Sequence, residues 1–162
     1  MRARKESGEK MHDRIRVLFL CHGNICRSPM AEFVMREAVR RAGLADRIET
    51  ASAAVSREEI GNDMYPPARK KLTEKGVPFT KRAARQVTAQ DLRDFDYVLI
   101  MDASNRTLLR RLCGADAEKA RMLLPDRDVA DPWYTGDFDA TFDDVKQGCT
   151  ALLAEIRGKY GI

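Results

Sequence analysis

The residues of this chain best suited to chemistry form one short run, Cys21-His22-Gly23-Asn24-Ile25-Cys26-Arg27-Ser28. The apolar Val17-Leu18-Phe19-Leu20 precedes it and Ser28-Pro29 ends it. Serine as a cap with proline at the first helical position marks a helix start, so the run reads as a turn between a strand and a helix. Such a turn can aim several backbone N–H groups at one point, with the helix dipole behind them, and so hold an anion. Gly23 and Asn24 tolerate the positive φ angles that such a nest needs. Arg27 can grip two phosphate oxygens at once. Cys21, at the end of the strand, would lie beneath the bound phosphorus, and the field that draws phosphate also favours thiolate over thiol. One loop thus offers an activated nucleophile and a cradle for developing charge, with Ser28 able to hydrogen-bond the sulfur. A structural turn ending in a buried cysteine is the plain alternative. It accounts poorly for Cys, five residues and Arg in a strand–turn–helix frame. A nucleotide-binding loop would need Gly-Lys-Ser/Thr at set spacing, which is absent.

Breaking a phosphate ester also calls for a proton donor beside the leaving oxygen, because charge builds there in a loose transition state. Residues 126–144 hold seven Asp, Asp131 among them, and most acids in such a run are merely solvated. The residues alone do not choose between them.

The elements that must position these groups follow from periodicity. Residues 16–21 form a continuous apolar strand of the kind buried on both faces of a parallel sheet. Ala31, Phe33, Val34, Ala38 and Val39 recur at helical spacing up to about Gly43. Residues 47–53 read as a second strand, 96–101 as a third and 121–124 as a short fourth. Pro66-Pro67 opens a helix that stops at Gly76, Ser104 caps another that ends at Gly114, and residues 142–156 carry a last one. Residues 125–139 read as a loop rich in Asp, Pro and Gly. Strands alternating with helices predict a doubly wound α/β fold with a parallel sheet, in which ligands bind beyond the carboxyl ends of the strands. Both chemical segments follow a predicted strand.

Bulk composition agrees. The 162 residues, 44% of them hydrophobic, suit one globular domain. No apolar run approaches the roughly 20 residues of a membrane span, and none forms a signal-peptide core. A cytoplasmic protein with no membrane partner is expected. The net charge of +4 sits mainly at the start, where residues 1–16 hold six Lys and Arg against three acids. Residues 1–13 are therefore expected to be a disordered basic tail and residues 14–162 the single domain. No basic cluster interleaved with aromatics suggests nucleic-acid binding. Of the four cysteines, Cys21, Cys26, Cys113 and Cys149, none shows zinc-site spacing with a second Cys or a His.

With these residues in hand, the loop and the following Met30-Ala31-Glu32 resemble the low-molecular-weight protein tyrosine phosphatases. The resemblance runs from about Arg14 onward. It is carried further by Ala51-Ser52-Ala53, Ala84-Arg85-Gln86-Val87-Thr88, Phe95-Asp96-Tyr97, Met101-Asp102 with Ser104-Asn105, and Asp131-Pro132-Trp133-Tyr134. It implies a four-stranded parallel sheet with helices on both faces, and hydrolysis of protein phosphotyrosine through a phosphocysteine on Cys21. Residues 22–28 would bind the phosphate, and Asp131, just before Pro132, would be the general acid. Trp133 and Tyr134 would wall the slot for the phenyl ring, although Trp133 could equally pack on the core. Asn24, Ser28 and Ser52 match positions that brace the loop. Cys26 matches a second cysteine that can pair with the nucleophile under oxidation. No metal or organic cofactor is implied, since Arg27 and the loop amides supply the positive charge, and a monomer is expected.

The chain also departs from the family pattern. Glu58, with Glu59 beside it, stands at a wall position that is often aromatic, and Arg82 stands where some members carry a bracing His. Three other readings share the loop. Thioredoxin-coupled arsenate reductases need two more cysteines near residues 80–95, where this chain has none. Protein arginine phosphatases carry a Thr where Ile25 sits here, and Ile25 favours a flat phenyl ester over a guanidinium. A phosphotyrosine-binding module could dispense with Cys21 or Asp131.

Overall fold

A computed structural model describes residues 14–162, so the expected basic tail of residues 1–13 lies outside the described residues. Strands β1 (Ile15–Cys21), β2 (Ile48–Ala54), β3 (Tyr97–Ile100) and β4 (Arg121–Met122) form one sheet in the order β2-β1-β3-β4. Every pairing is parallel, with Leu18 opposite Ala51 on one side and Val98 on the other. The helices are α1 (Arg27–Arg41), α2 (Pro66–Glu74), α3 (Ala89–Asp94), α4 (Ala103–Cys113), α5 (Pro132–Thr135) and α6 (Phe138–Tyr160).

The continuous apolar run of β1 has its cause in this arrangement. Side chains alternate across a strand, and both faces of β1 are covered. Val17, Phe19 and Cys21 join a core with residues of α1, α2 and α6, including Met30, Phe33, Leu72 and Val145. Leu18 and Leu20 join a second core with Leu92 of α3, Leu109 of α4, Ile100 and Val87. Each fully buried Leu or Phe contributes about 1.5–3 kcal/mol, so burial on both faces holds β1 firmly in place. Both chemical loops leave the carboxyl ends of β1 and β4, at one end of this sheet. Among the described residues no helix is long and apolar enough to cross a membrane.

Several local expectations are corrected. Helix α1 begins at Arg27, so Ser28 is not its cap; Cys26 occupies that position without a side-chain cap bond. Helix α4 is capped by Asp102 rather than Ser104, in a reciprocal capping box with Asn105. Strand β4 has two residues, because the chain turns toward Pro125 after Leu123 N–H has paired with the Ile100 carbonyl. Residues 125–139 are not all loop. They contain α5, capped by Asp131, and the start of α6, capped by Asp137. Helix α3 is an element the sequence reading did not include; a Thr88–Asp91 capping box opens it.

Candidate active site

The loop between β1 and α1 is held from outside by its carbonyls. Cys21 C=O accepts from Val55 N–H at 3.0 Å, His22 C=O from Ser56 N–H at 3.1 Å, and Ile25 C=O from Tyr65 N–H at 2.9 Å. The Asn24 carbonyl accepts from Arg82 at 2.6 Å. Among the described residues, the N–H groups of Gly23 to Arg27 donate to no protein acceptor. In a trans peptide N–H and C=O point in opposite directions, so tying the carbonyls outward turns these donors toward the loop's centre. The first N–H groups of α1 lack intrahelical partners and join them. The result is an anion nest with a helix dipole behind it.

Asn24 makes the loop possible. It is fully buried and is the one non-glycine with positive φ among the described residues, at 61°. Its Nδ2 donates to Ser28 Oγ at 2.8 Å and Ser52 Oγ at 2.9 Å, and Ser52 Oγ donates to Glu32 Oε1 at 2.6 Å. Asn24 Oδ1 accepts from Arg82 Nη2 at 2.5 Å and from Arg85 N–H. Arg82 therefore does brace the loop, through a guanidinium. Burial lowers its pKa, and Glu32, Asp63 and Cys21 only partly offset that. Gly23 has no positive φ, contrary to expectation. Its missing side chain instead leaves room for Glu59, whose Cγ would lie 3.1 Å from a Cβ at that position.

Cys21 is buried at the end of β1, with its Sγ 3.1 Å from Ser28 Oγ and 3.4 Å from Ser28 N. The Ser28 hydroxyl is thus spent on the sulfur and not on capping the helix. Arg27 is also buried. Its Nη1 donates to Asp102 Oδ2 at 2.7 Å and to the Val129 carbonyl at 2.8 Å, while Nη2 reaches Asp131 Oδ2 at 3.4 Å. Burial opposes the Arg27 charge, but Cys21, Asp102 and Asp131 outweigh it and raise its pKa above the ordinary value. Asp131 Oδ1 accepts from Trp133 N–H at 3.0 Å, which starts α5.

These groups surround one cavity of about 130 Å³, lined by Cys21, His22, Gly23, Ile25, Cys26 and Arg27 and by Glu58, Glu59, Asp131, Trp133 and Tyr134. Trp133 is 54% exposed and Tyr134 84%. Trp133 is not core packing; it leans on Tyr65 with ring centroids 4.8 Å apart. At the rim, His22 Nε2 lies 3.0 Å from Glu58 Oε2. Asn24, Ser28 and Ser52 stand behind the loop, outside the cavity lining.

Cys26 also lines the cavity. Burial first, and the neighbouring Cys21 next, push its thiol up to about 12. Cys113 is half-buried at the end of α4, and Cys149 is buried within α6. Sequence reasoning gave no role to Asp102, Glu32 or Tyr65. Asp102 and Glu32 were visible only as matching letters, and nothing in the local pattern marks Tyr65.

The chain matches the family described as low molecular weight phosphotyrosine protein phosphatase over residues 16–160. It is 41% identical to the low molecular weight protein-tyrosine-phosphatase YfkJ of Bacillus subtilis over 150 residues, which span 88% of this chain and 96% of that one. The crystal structure of YfkJ superposes with a TM-score of 0.85 at 40% identity, covering 90% of this chain and 96% of the other. The low molecular weight phosphotyrosine protein phosphatase of Sus scrofa is 37% identical across 87% of this chain and 95% of its own length. The low molecular weight protein tyrosine phosphatase SP-PTP from Streptococcus pyogenes superposes with a TM-score of 0.80 at 34% identity, covering 87% of this chain and 92% of that one.

Proposed function

Because the chain belongs to the low molecular weight phosphotyrosine protein phosphatase family, we propose that it hydrolyses the phosphate ester of tyrosine in proteins, with Cys21 as nucleophile and Asp131 as general acid. One observation carries the assignment: a single small cavity brings together Cys21, Arg27 and Asp131 around backbone N–H groups that, among the described residues, donate to no protein acceptor.

In this reading the phosphoryl group enters with its oxygens on the loop amides and Arg27, which stabilise the charge spread over them in the transition state. The Cys21 thiolate attacks phosphorus as the ester P–O bond breaks, and protonated Asp131 gives its proton to the departing phenolic oxygen. Water then attacks the phosphocysteine, giving up a proton to the Asp131 carboxylate. The S–P bond breaks, inorganic phosphate forms, and the Ser28 hydroxyl stabilises the departing sulfur from 3.1 Å. Arg27 and the amides do the charge work that a metal does in other phosphoryl-transfer sites. Cys21 lies at the base of the cavity, while Trp133 and Tyr134 stand at its mouth. A phosphotyrosine ring offers these two side chains an aromatic face to pack against, whereas phosphoserine carries none. Ile25 lines the cavity with a bulky apolar side chain that suits a phenyl ring. A monomeric cytoplasmic enzyme without nucleic-acid partners remains part of this reading.

Phosphate release from phosphotyrosyl, phosphoseryl and phosphoarginyl peptides in EDTA, with Cys21→Ser alongside, tests the assignment. Release from phosphotyrosine alone, abolished in Cys21→Ser, supports it. Preference for phosphoarginine, or no release from any peptide, contradicts it.

A further inference from the structure

Tyr65 lies between the two loops that carry the reacting groups and belongs to neither. Its backbone is fixed on both sides. The N–H donates to the Ile25 carbonyl of the phosphate loop at 2.9 Å, and the carbonyl accepts from Ala68 and Arg69 N–H at 2.9 and 3.2 Å, opening α2. Pro66 follows and confines Tyr65 to extended backbone, at φ −55° and ψ 132°. The ring extends toward the acid loop. It sits 4.8 Å from the Trp133 ring at a 52° tilt and 6.2 Å from Phe138, nearly parallel to it at 29°. These are favourable aromatic geometries. Trp133, more than half exposed, finds in Tyr65 a support anchored to the phosphate loop itself. The Trp133 N–H in turn holds Asp131 Oδ1.

We propose that Tyr65 is a positioning residue for proton transfer. Its ring sets Trp133, and through the Trp133–Asp131 bond it fixes where the Asp131 carboxyl stands over Cys21. The proposal rests on Asp131 being the general acid. In the step it serves, the Cys21–phosphorus bond forms, the phosphorus–phenol bond breaks, and the proton passes from Asp131 to the phenolic oxygen. Tyr65 itself exchanges no proton, so only its ring is required.

The test is kcat/KM on free phosphotyrosine, whose phenolate needs a proton to leave, and on p-nitrophenyl phosphate, whose anion leaves far more readily. Tyr65→Ala should lose about five- to twentyfold on phosphotyrosine and less than about threefold on p-nitrophenyl phosphate, since small misplacements of a catalytic group cost rate steeply. Tyr65→Phe should restore both rates. Trp133→Ala, which leaves the Tyr65 backbone anchor intact, should shift the ratio in the same direction even if Tyr65→Ala folds poorly. The double variant should be no worse than the worse single one. Equal losses on both substrates, or failure of Tyr65→Phe to rescue, would overturn the proposal while leaving the acid assignment standing, provided Asp131→Ala shows the leaving-group difference. Absence of that difference in Asp131→Ala would overturn the acid assignment, and the role of Tyr65 with it.

Discussion

Asp102 holds Arg27 with one carboxylate oxygen and the start of α4 with the other. Oδ2 accepts from Arg27 Nη1 at 2.7 Å, while Oδ1 accepts from Asn105 N–H at 2.9 Å and Ser104 Oγ at 2.8 Å. The cap of a structural helix and the anchor of the phosphate-gripping arginine are therefore the same group. Losing it should cost stability and catalysis together. Asp102→Ala is expected to destabilise the fold by about 2–3 kcal/mol, since the buried Arg27 charge loses its nearer carboxylate and α4 loses its cap. It should also lower kcat/KM about ten- to a hundredfold, because Arg27 loses its fixed orientation. Thermal melting and steady-state kinetics check both. Unchanged kinetics in a folded variant would show that Arg27 needs no such anchor.

The same carboxylate sets an acid limit. Burial raises the pKa of Asp102, but the Arg27 bond and the Asn105 and Ser104 bonds outweigh that and hold it below the ordinary carboxylate value. A group whose folded-state pKa is depressed contributes stability above its unfolded pKa and loses it as pH falls through the folded one. Wild type should therefore lose this contribution below about pH 4, and Asp102→Ala should show a correspondingly shallower loss there. Melting curves between neutral and acidic pH measure the difference; parallel curves would reject it.

Asp131→Ala should lower kcat/KM for phosphotyrosine by about 10²–10⁴, the range for loss of a general acid. Its effect should shrink as the leaving group improves. If Asp131→Ala matches wild type on phosphotyrosine, another acid of residues 126–144 supplies the proton.

Cys26 shares the cavity with Cys21, and burial keeps it a thiol at neutral pH. Peroxide should convert Cys21 to a sulfenic acid, which condenses with the Cys26 thiol to a disulfide and water, sparing it further oxidation. Inactivation should then be reversed by added thiol in wild type and largely irreversible in Cys26→Ala. Equal recovery of the two would dismiss the protective role.

At the rim, Glu58 pairs with His22 and stands beside Glu59. Acidic residues flanking the phosphotyrosine should meet repulsion there, worth only about twofold to fivefold because the pair is exposed and screened. Glu58→Ala should narrow the difference between acidic and basic peptides. An unchanged preference would leave the rim without a part in selection.

The parts of this molecule set by local rules were legible in the sequence. The β1 run has one geometry that buries both of its faces, and Cys21 to Ser28 keeps its meaning in any strand–turn–helix frame. What escaped depends on distant partners. Ser28 looked like a cap as well as a partner for the sulfur; the Cys21 sulfur and Asn24 meet its hydroxyl, but the helix starts one residue earlier at Arg27. Gly23 looked like a conformational necessity, and the structure makes it a matter of room for Glu59. Asp131 could not be chosen among seven Asp residues by pattern, since what distinguishes it is its place beside Arg27, 104 residues away in the chain. Tyr65 carries no local signal at all, because its significance lies in joining Ile25 to Trp133.

The central claim is that phosphate passes through the Cys21 sulfur. Rapid mixing with a phosphotyrosyl peptide, acid quench and mass analysis of the digested protein test it directly. A transient adduct of one phosphoryl group is expected on the peptide containing Cys21, formed as the tyrosyl peptide is released and absent in Cys21→Ser. Turnover with no such adduct, or an adduct that persists in Cys21→Ser, would contradict it.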